Sequence, residues 1–192
     1  KSFVQGIITM LPAVYILLFA WALVDLIGRL QVGDYLAGLV QQSNLNILYL
    51  PLVMFLVAGV MTFATGTSWG SFGILLPIAG EIAAATDPEM MLPAMAAVLA
   101  GAVFGDHCSP ISDTTILSST GAGSNHLDHV MTQLPYALIC AGVALVGYLI
   151  LGLTENLWIS LLIVLGLIGS LVILIKPKTE TEPKSETSVV DS

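Results

Sequence analysis

Long apolar blocks alternate with short polar intervals along this chain. A membrane-spanning helix needs about 20 mostly apolar residues. Residues 7–27 supply the first such block, with Asp25 as its only acid, near enough to one end to snorkel to an interface. Residues 28–46 form a polar interval, read as a short amphipathic helix over 32–40 and a loop. Residues 47–64 form the next block, which stops at Thr65-Gly66-Thr67-Ser68-Trp69-Gly70. Residues 71–85 are apolar again, interrupted by Pro77, Gly80 and Glu81. This pattern predicts a helical hairpin, or a helix broken in its middle, with neither limb needing to be a complete span.

Thr86-Asp87-Pro88-Glu89 is a predicted loop in which Asp87 caps the next helix. Residues 90–104 are apolar but short for a span, and Gly101 and Gly105 have the spacing of close helix packing. Eleven residues then depart from the pattern: Gly105-Asp106-His107-Cys108-Ser109-Pro110-Ile111-Ser112-Asp113-Thr114-Thr115. After them come residues 116–120 and a polar turn, 121–129, that puts His126, Asp128 and His129 in a solvated loop. Residues 90–120 are read as one discontinuous transmembrane helix with an unwound centre. Residues 131–153 and 157–175 are ordinary spans joined at Thr154-Glu155-Asn156. Residues 176–192, rich in Pro, Thr, Glu and Lys, form a predicted disordered tail. The fold class is all-α: a polytopic helical membrane protein over residues 1–175, with a re-entrant hairpin and a discontinuous helix.

Composition agrees with the pattern. The chain is 56% hydrophobic and 9% charged, and its mean hydropathy is +0.94. A soluble domain carries about 25% charged residues. The solvent is therefore lipid, in a cytoplasmic membrane. Five Lys and Arg in all leave no basic patch for nucleic acid. Lys176, Lys178 and Lys184 come directly after the last span, so the positive-inside rule puts the C-terminus in the cytoplasm. The turn at 154–156 is then outside and 126–129 inside. Cys108 and Cys140 make no disulfide framework and read as small buried hydrophobes. The chain opens on Lys1 without a signal-peptide pattern, as expected of a processed chain or a piece of a longer one.

The chemistry concentrates at the two interruptions. Lipid cannot satisfy the N–H and C=O groups of a broken helix, so breaks survive only inside protein or along a wet cavity. Paired Gly- or Pro-interrupted spans point to a transporter binding site. Na⁺ is a hard cation that takes oxygen ligands. Asp106 and Asp113 offer carboxylates, and Ser109, Ser112, Thr114 and Thr115 offer hydroxyls. Burial favours the protonated form of a carboxylate and a bound cation the ionised form, so Na⁺ and H⁺ can compete for one site. Asp113 ranks as the better ligand, opening the second half-helix among hydroxyls; it is otherwise an N-cap. Asp106 is otherwise a helix-end acid. His107 carries a proton, repels cations as a gate, or simply bonds a neighbour. Glu81 couples protons or reaches the interface. Thr67 and Ser68 face the ion or cap helix ends, and Trp69 packs or anchors at the interface. No cofactor is implied, since Na⁺ and H⁺ are cargo.

Other classes are represented too. Gly66-Thr67-Ser68-Trp69-Gly70 matches the G-x-S-x-G nucleophile elbow, which needs a strand–turn–helix. An intramembrane serine hydrolase would pair Ser68 with His107. Catalytic zinc lacks its usual ligand spacings here, and a purely structural subunit leaves the eleven polar-rich residues unexplained.

Gly66-Thr67-Ser68-Trp69-Gly70-Ser71-Phe72-Gly73-Ile74 with Leu76-Pro77-Ile78-Ala79 resembles the NhaC-type Na⁺/H⁺ antiporter family. So do residues 102–119 around the polar segment, and Asn125-His126, Asp128-His129 and Thr132-Gln133-Leu134-Pro135-Tyr136. The resemblance covers residues 47–153. It implies a larger transporter of two inverted repeats, of which this chain holds the C-terminal one, with a missing N-terminal repeat as its partner; a second copy of the protein is a separate candidate partner, beside membrane lipid. It further implies that Asp106, Asp113, Ser109, Ser112, Thr114, Thr67 and Ser68 face the ion. Related members exchange organic acids such as malate and lactate, so an organic-acid exchanger is the alternative to sodium:proton antiport.

Overall fold

The computed structural model describes residues 2–30 and 46–175. The expected amphipathic helix at 32–40 and the tail at 176–192, with its lysines, lie outside the described residues. Among the described residues there are helices and no strands. They are α1 (Ser2–Arg29), α2 (Leu50–Thr65), α3 (Ser68–Thr86), α4 (Met91–Cys108), α5 (Asp113–Gly121), α6 (His126–Thr154) and α7 (Leu157–Ile175). Short 3₁₀ turns, Ile47–Tyr49 and Pro88–Met90, lead into α2 and α4.

Local chemistry sets most of the boundaries. Asn46 accepts the Leu48 N–H, and Asp87 accepts the Glu89 N–H ahead of Pro88, as its predicted cap role requires. Gly66 ends α2 in the left-handed region, φ 70°, and its N–H donates to the Thr62 carbonyl at 2.7 Å. Asn125 accepts the Leu127 and Asp128 N–H groups and starts α6. That start corrects one expectation: His126, Asp128 and His129 stand in the first turns of a helix, not in a loop. The interval between α5 and α6 is residues 122–125 only. Helix α3 runs unbroken through Pro77, Gly80 and Glu81, which interrupt the apolar run but not the helix.

The core forms where α2, α3, α4 and α6 meet. A Cβ on Gly101 would strike the Phe55 carbonyl, and one on Gly105 the Gly59 carbonyl. The expected glycine pair therefore lets α4 lie backbone to backbone against α2. Leu75, Ala79 and Ala83, spaced one turn apart, are fully buried in the same cluster as Ala94, Ala97 and Val98. Phe55 stacks on Phe104 with centroids 5.9 Å apart and leans on Tyr148 at 5.6 Å, which ties α6 to the core. The hairpin of α6 and α7 is pinned by the buried Ser160 hydroxyl, which donates to the Gly147 carbonyl at 2.7 Å. Its turn falls at 155–156, as expected, with Glu155 left-handed at φ 51°. On α1, Arg29 Nε donates to Asp25 Oδ2 at 2.8 Å, an exposed pair.

Five of these helical stretches have the length and apolarity to cross a membrane: Ile47–Thr65, Ser68–Thr86, Pro88–Cys108, His126–Thr154 and Leu157–Leu174. Their outer faces expose large apolar side chains, such as Leu162, Ile173 and Leu174 on α7 and Leu92 on α4. In water those faces would drive aggregation; in lipid they are the required surface. The protein is an all-α, multi-pass membrane protein.

Candidate ion-binding site

The two interruptions meet. A Cβ on Gly66 would lie 2.6 Å from the Ile111 carbonyl oxygen, so the tip of the α2–α3 hairpin rests on the loop between α4 and α5. Glycine satisfies both demands there, the positive φ and the close approach. The C-termini of α2 and α4 and the N-termini of α3 and α5 converge on this point. Helix C-termini carry partial negative charge and N-termini partial positive charge.

The second interruption is shorter than its polar stretch. Helix α4 continues through Gly105, Asp106 and His107 to Cys108, and only residues 109–112 leave the helical path. Helix α4 has 18 residues before the break and α5 has 9 after it, so the break lies well past the middle of the segment. Ser109 closes α4 with an N–H bond to the Asp106 carbonyl at 3.2 Å. Its buried hydroxyl accepts the Ile111 N–H at 3.3 Å.

Ser112, not Asp113, is the N-cap of α5: its hydroxyl oxygen accepts the Thr115 N–H at 3.3 Å. Asp113 is the first helical residue, half-buried, and its Oδ1 accepts the Thr114 N–H at 2.8 Å. The Thr114 hydroxyl donates to Asp106 Oδ2 at 2.6 Å. Its own oxygen lies 2.8 Å from Ser112 Oγ. Because Thr114 gives its proton to the carboxylate, Ser112 must donate to Thr114. The result is a relay from the Thr115 amide through Ser112 and Thr114 to Asp106, each bond polarising the next.

The relay satisfies one oxygen of Asp106. The other, Oδ1, is buried and has no hydrogen-bond partner, on a residue only 3% exposed. Buried polar atoms are normally paired, and a buried carboxylate oxygen left alone is costly. Asp106, not the higher-ranked Asp113, has the unfilled position, and Asp113 meets it only through Thr114.

The remaining candidates divide. Thr115 is buried and supplies its amide to the relay. Thr67 contributes its carbonyl, which accepts from the Ser71 hydroxyl at 3.3 Å, while Ser68, half-buried, opens α3. His107 is exposed and turned back on its own helix, Nδ1 donating to the Val103 carbonyl at 2.8 Å. It lines a mostly apolar groove of about 660 Å³ between α4 and α6, with Gln133 and Tyr136. Glu81 is exposed and thirteen residues along α3 from Ser68, about 20 Å at 1.5 Å per residue, so the fold does not bring it to the breaks. Trp69 is 80% exposed and edge-on to Phe72. Cys108 is buried as expected, but Cys140 is exposed. The G-x-S-x-G segment joins two helices, not a strand and a helix, so the nucleophile elbow lacks its scaffold.

Four residues at or beside the breaks escaped sequence reasoning. Thr62 donates to Ser71 at 2.6 Å, a fully buried pair that staples the hairpin tip. Two hydroxyls flanking a glycine turn inside apolar runs were the available signal. His126 Nε2 lies 2.7 Å from the Pro110 carbonyl, and His129 Nε2 3.2 Å from Ser118 Oγ. Their i, i+3 spacing just after an Asn cap marks one helical face.

The model of the Na⁺/H⁺ antiporter family matches residues 1–153. The chain belongs to that family. Among family relatives, it is 53% identical over 156 residues to an uncharacterized protein of Haemophilus influenzae, a match covering 81% of this chain and 30% of that protein. It is 37% identical over 112 residues to an uncharacterized Na⁺/H⁺ antiporter of the same organism, covering 56% of this chain and 23% of that protein. It is 35% identical over 144 residues to the malate-2H⁺/Na⁺-lactate antiporter of Bacillus subtilis, covering 70% of this chain and 28% of that protein. The chain thus spans less than a third of the length of these relatives. No solved structure matches it.

Proposed function

We propose that the chain carries the ion site of a sodium:proton antiporter, in which Na⁺ and H⁺ compete for Asp106. The observation that supports this most is the unpartnered, buried Oδ1 of Asp106 at the crossing of two broken segments. A proton satisfies that oxygen as a neutral acid; a desolvated Na⁺ satisfies it as an ion pair. The C-termini of α2 and α4 add partial negative charge that favours a cation, while the N-termini of α3 and α5 at the same crossing favour an anion. Occupation by one ion excludes the other, and that exclusion is the minimum an exchanger needs. Residues 1–175 form the transporter domain in this reading, and a second repeat of broken helices completes the site from across the protein. The protein lies in the cytoplasmic membrane with its C-terminus inside.

An exchanger of small organic acids is the second reading, favoured by the similarity to the malate-2H⁺/Na⁺-lactate antiporter. A carboxylate substrate needs a cation or an N–H cluster. The chain's single arginine, Arg29, is already paired with Asp25 on the surface of α1. Two helix N-termini at the crossing offer N–H groups to such a substrate, but the unpartnered carboxylate oxygen of Asp106 suits a cation and repels an anion, so the ion-only reading stands first.

The test is sodium-driven proton flux in vesicles holding the complete protein. Asp106→Asn, which keeps shape and loses charge, is expected to reduce flux to background with folding retained. Normal flux from that variant would remove Asp106 from the mechanism. Adding malate or lactate to the wild type separates the two readings.

A further inference from the structure

The first turn of α6 reaches into the break between α4 and α5. His126 Nε2 lies 2.7 Å from the Pro110 carbonyl, and Nδ1 lies 3.1 Å from Ser119 Oγ on α5. A carbonyl only accepts, so Nε2 carries the hydrogen and donates. Pro110 belongs to the four residues off the helical path, where carbonyls lose their ladder partners. At membrane depth such a group must be satisfied by protein or water. His126 supplies the donor.

Position gives this bond a meaning beyond packing. Pro110 sits between Ser109, which closes α4, and Ser112, which starts the relay to Asp106. Holding the Pro110 carbonyl holds the loop that sets where Ser112 and Thr114 stand, and therefore where Asp106 points. His129, one turn on, touches Ser118 within α5 and leaves the break alone. The two histidines thus share a helix face and differ in what they grip.

We infer that His126 is a positioning residue for the ion site, fixing the interrupted segment through the Pro110 carbonyl and so setting the affinity for Na⁺. The inference rests on the reading of Asp106 as the cation ligand. Complete protein in vesicles is assayed for half-saturating Na⁺ and maximal rate separately. His126→Leu is expected to raise half-saturating Na⁺ about tenfold, the size of one lost hydrogen bond at a polar network. His126→Gln, whose amide nitrogen reaches the Nε2 position, is expected to restore it. His129→Leu is expected to leave it unchanged, which a merely structural α5–α6 clasp would not allow. An unshifted His126→Leu, or equal shifts from both histidines, overturns the inference. Should the leucine variant fail to fold, His126→Ala takes its place: a rise of about tenfold in half-saturating Na⁺ supports the inference, and an unshifted value overturns it. Asp106→Asn in the same vesicles keeps the two ideas apart. Flux surviving there removes the ion reading and this inference with it. Flux lost there, with His126→Leu unshifted, removes this inference alone.

Discussion

The two helix breaks look alike in composition and differ in what they leave unpaired. At the hairpin tip, Gly66 donates to the Thr62 carbonyl, Thr62 donates to Ser71, and Ser71 donates to the Thr67 carbonyl. The tip has no buried orphan among the described side chains. At the second break Ser109, Ser112 and Thr114 are also bonded, yet the relay ends on a carboxylate with one buried oxygen unpartnered. Glycine and hydroxyls at membrane depth thus make a stable corner in one place and a receptive one in the other. An unfilled position, not polarity, separates the two breaks.

That contrast can be broken in several ways, beginning with the largest effect. Asp106→Asn removes the buried charge at the crossing, and sodium-driven proton flux is expected to vanish. Gly66→Ala comes next. It places a Cβ 2.6 Å from the Ile111 carbonyl oxygen and demands a positive φ of alanine. Strain of this kind costs about 1–3 kcal/mol, to be read as a lower unfolding midpoint in detergent. A variant as stable as wild type would mean the two breaks do not bear on each other. Thr114→Val leaves Asp106 Oδ2 without its donor, and bonds to charged groups are worth about 1.5–3 kcal/mol. Half-saturating Na⁺ is expected to change by at least tenfold on that scale, about 1.4 kcal/mol, with folding kept. Ser71→Ala should do the opposite, lowering stability by about 1 kcal/mol while transport kinetics stay put. A changed Na⁺ affinity there would make the tip part of the site. Asp113→Asn has the smallest expected effect, about 0.3–1 kcal/mol from a charge at the first turn of α5, seen in stability and not in flux. Loss of flux from Asp113→Asn with Asp106→Asn active would restore the ranking read from the sequence.

Much of this was legible in residue order. Block length and apolarity located α2, α3, α6 and α7, because a span must be long and greasy wherever it packs. The glycine at 66, the proline at 110 and the cap at Asp87 act on near neighbours, so sequence carries them. The Gly101–Gly105 contact was legible as well, since small residues at that spacing serve close approach whatever the partner.

What sequence could not rank was Asp106 against Asp113. Both are acids in one polar stretch, seven residues apart. Their difference lies in which oxygen is bonded and which is buried, and that depends on α2 lying against Gly105 and on how residues 109–112 turn. His126 was missed for the same reason: its partner is sixteen residues back, across a break whose direction no local propensity encodes. The sequence by itself determined the solvent, the helices and most of the places where they end. Only the tertiary structure decided which polar group was left unsatisfied, because satisfaction is a property of pairs brought together from different helices.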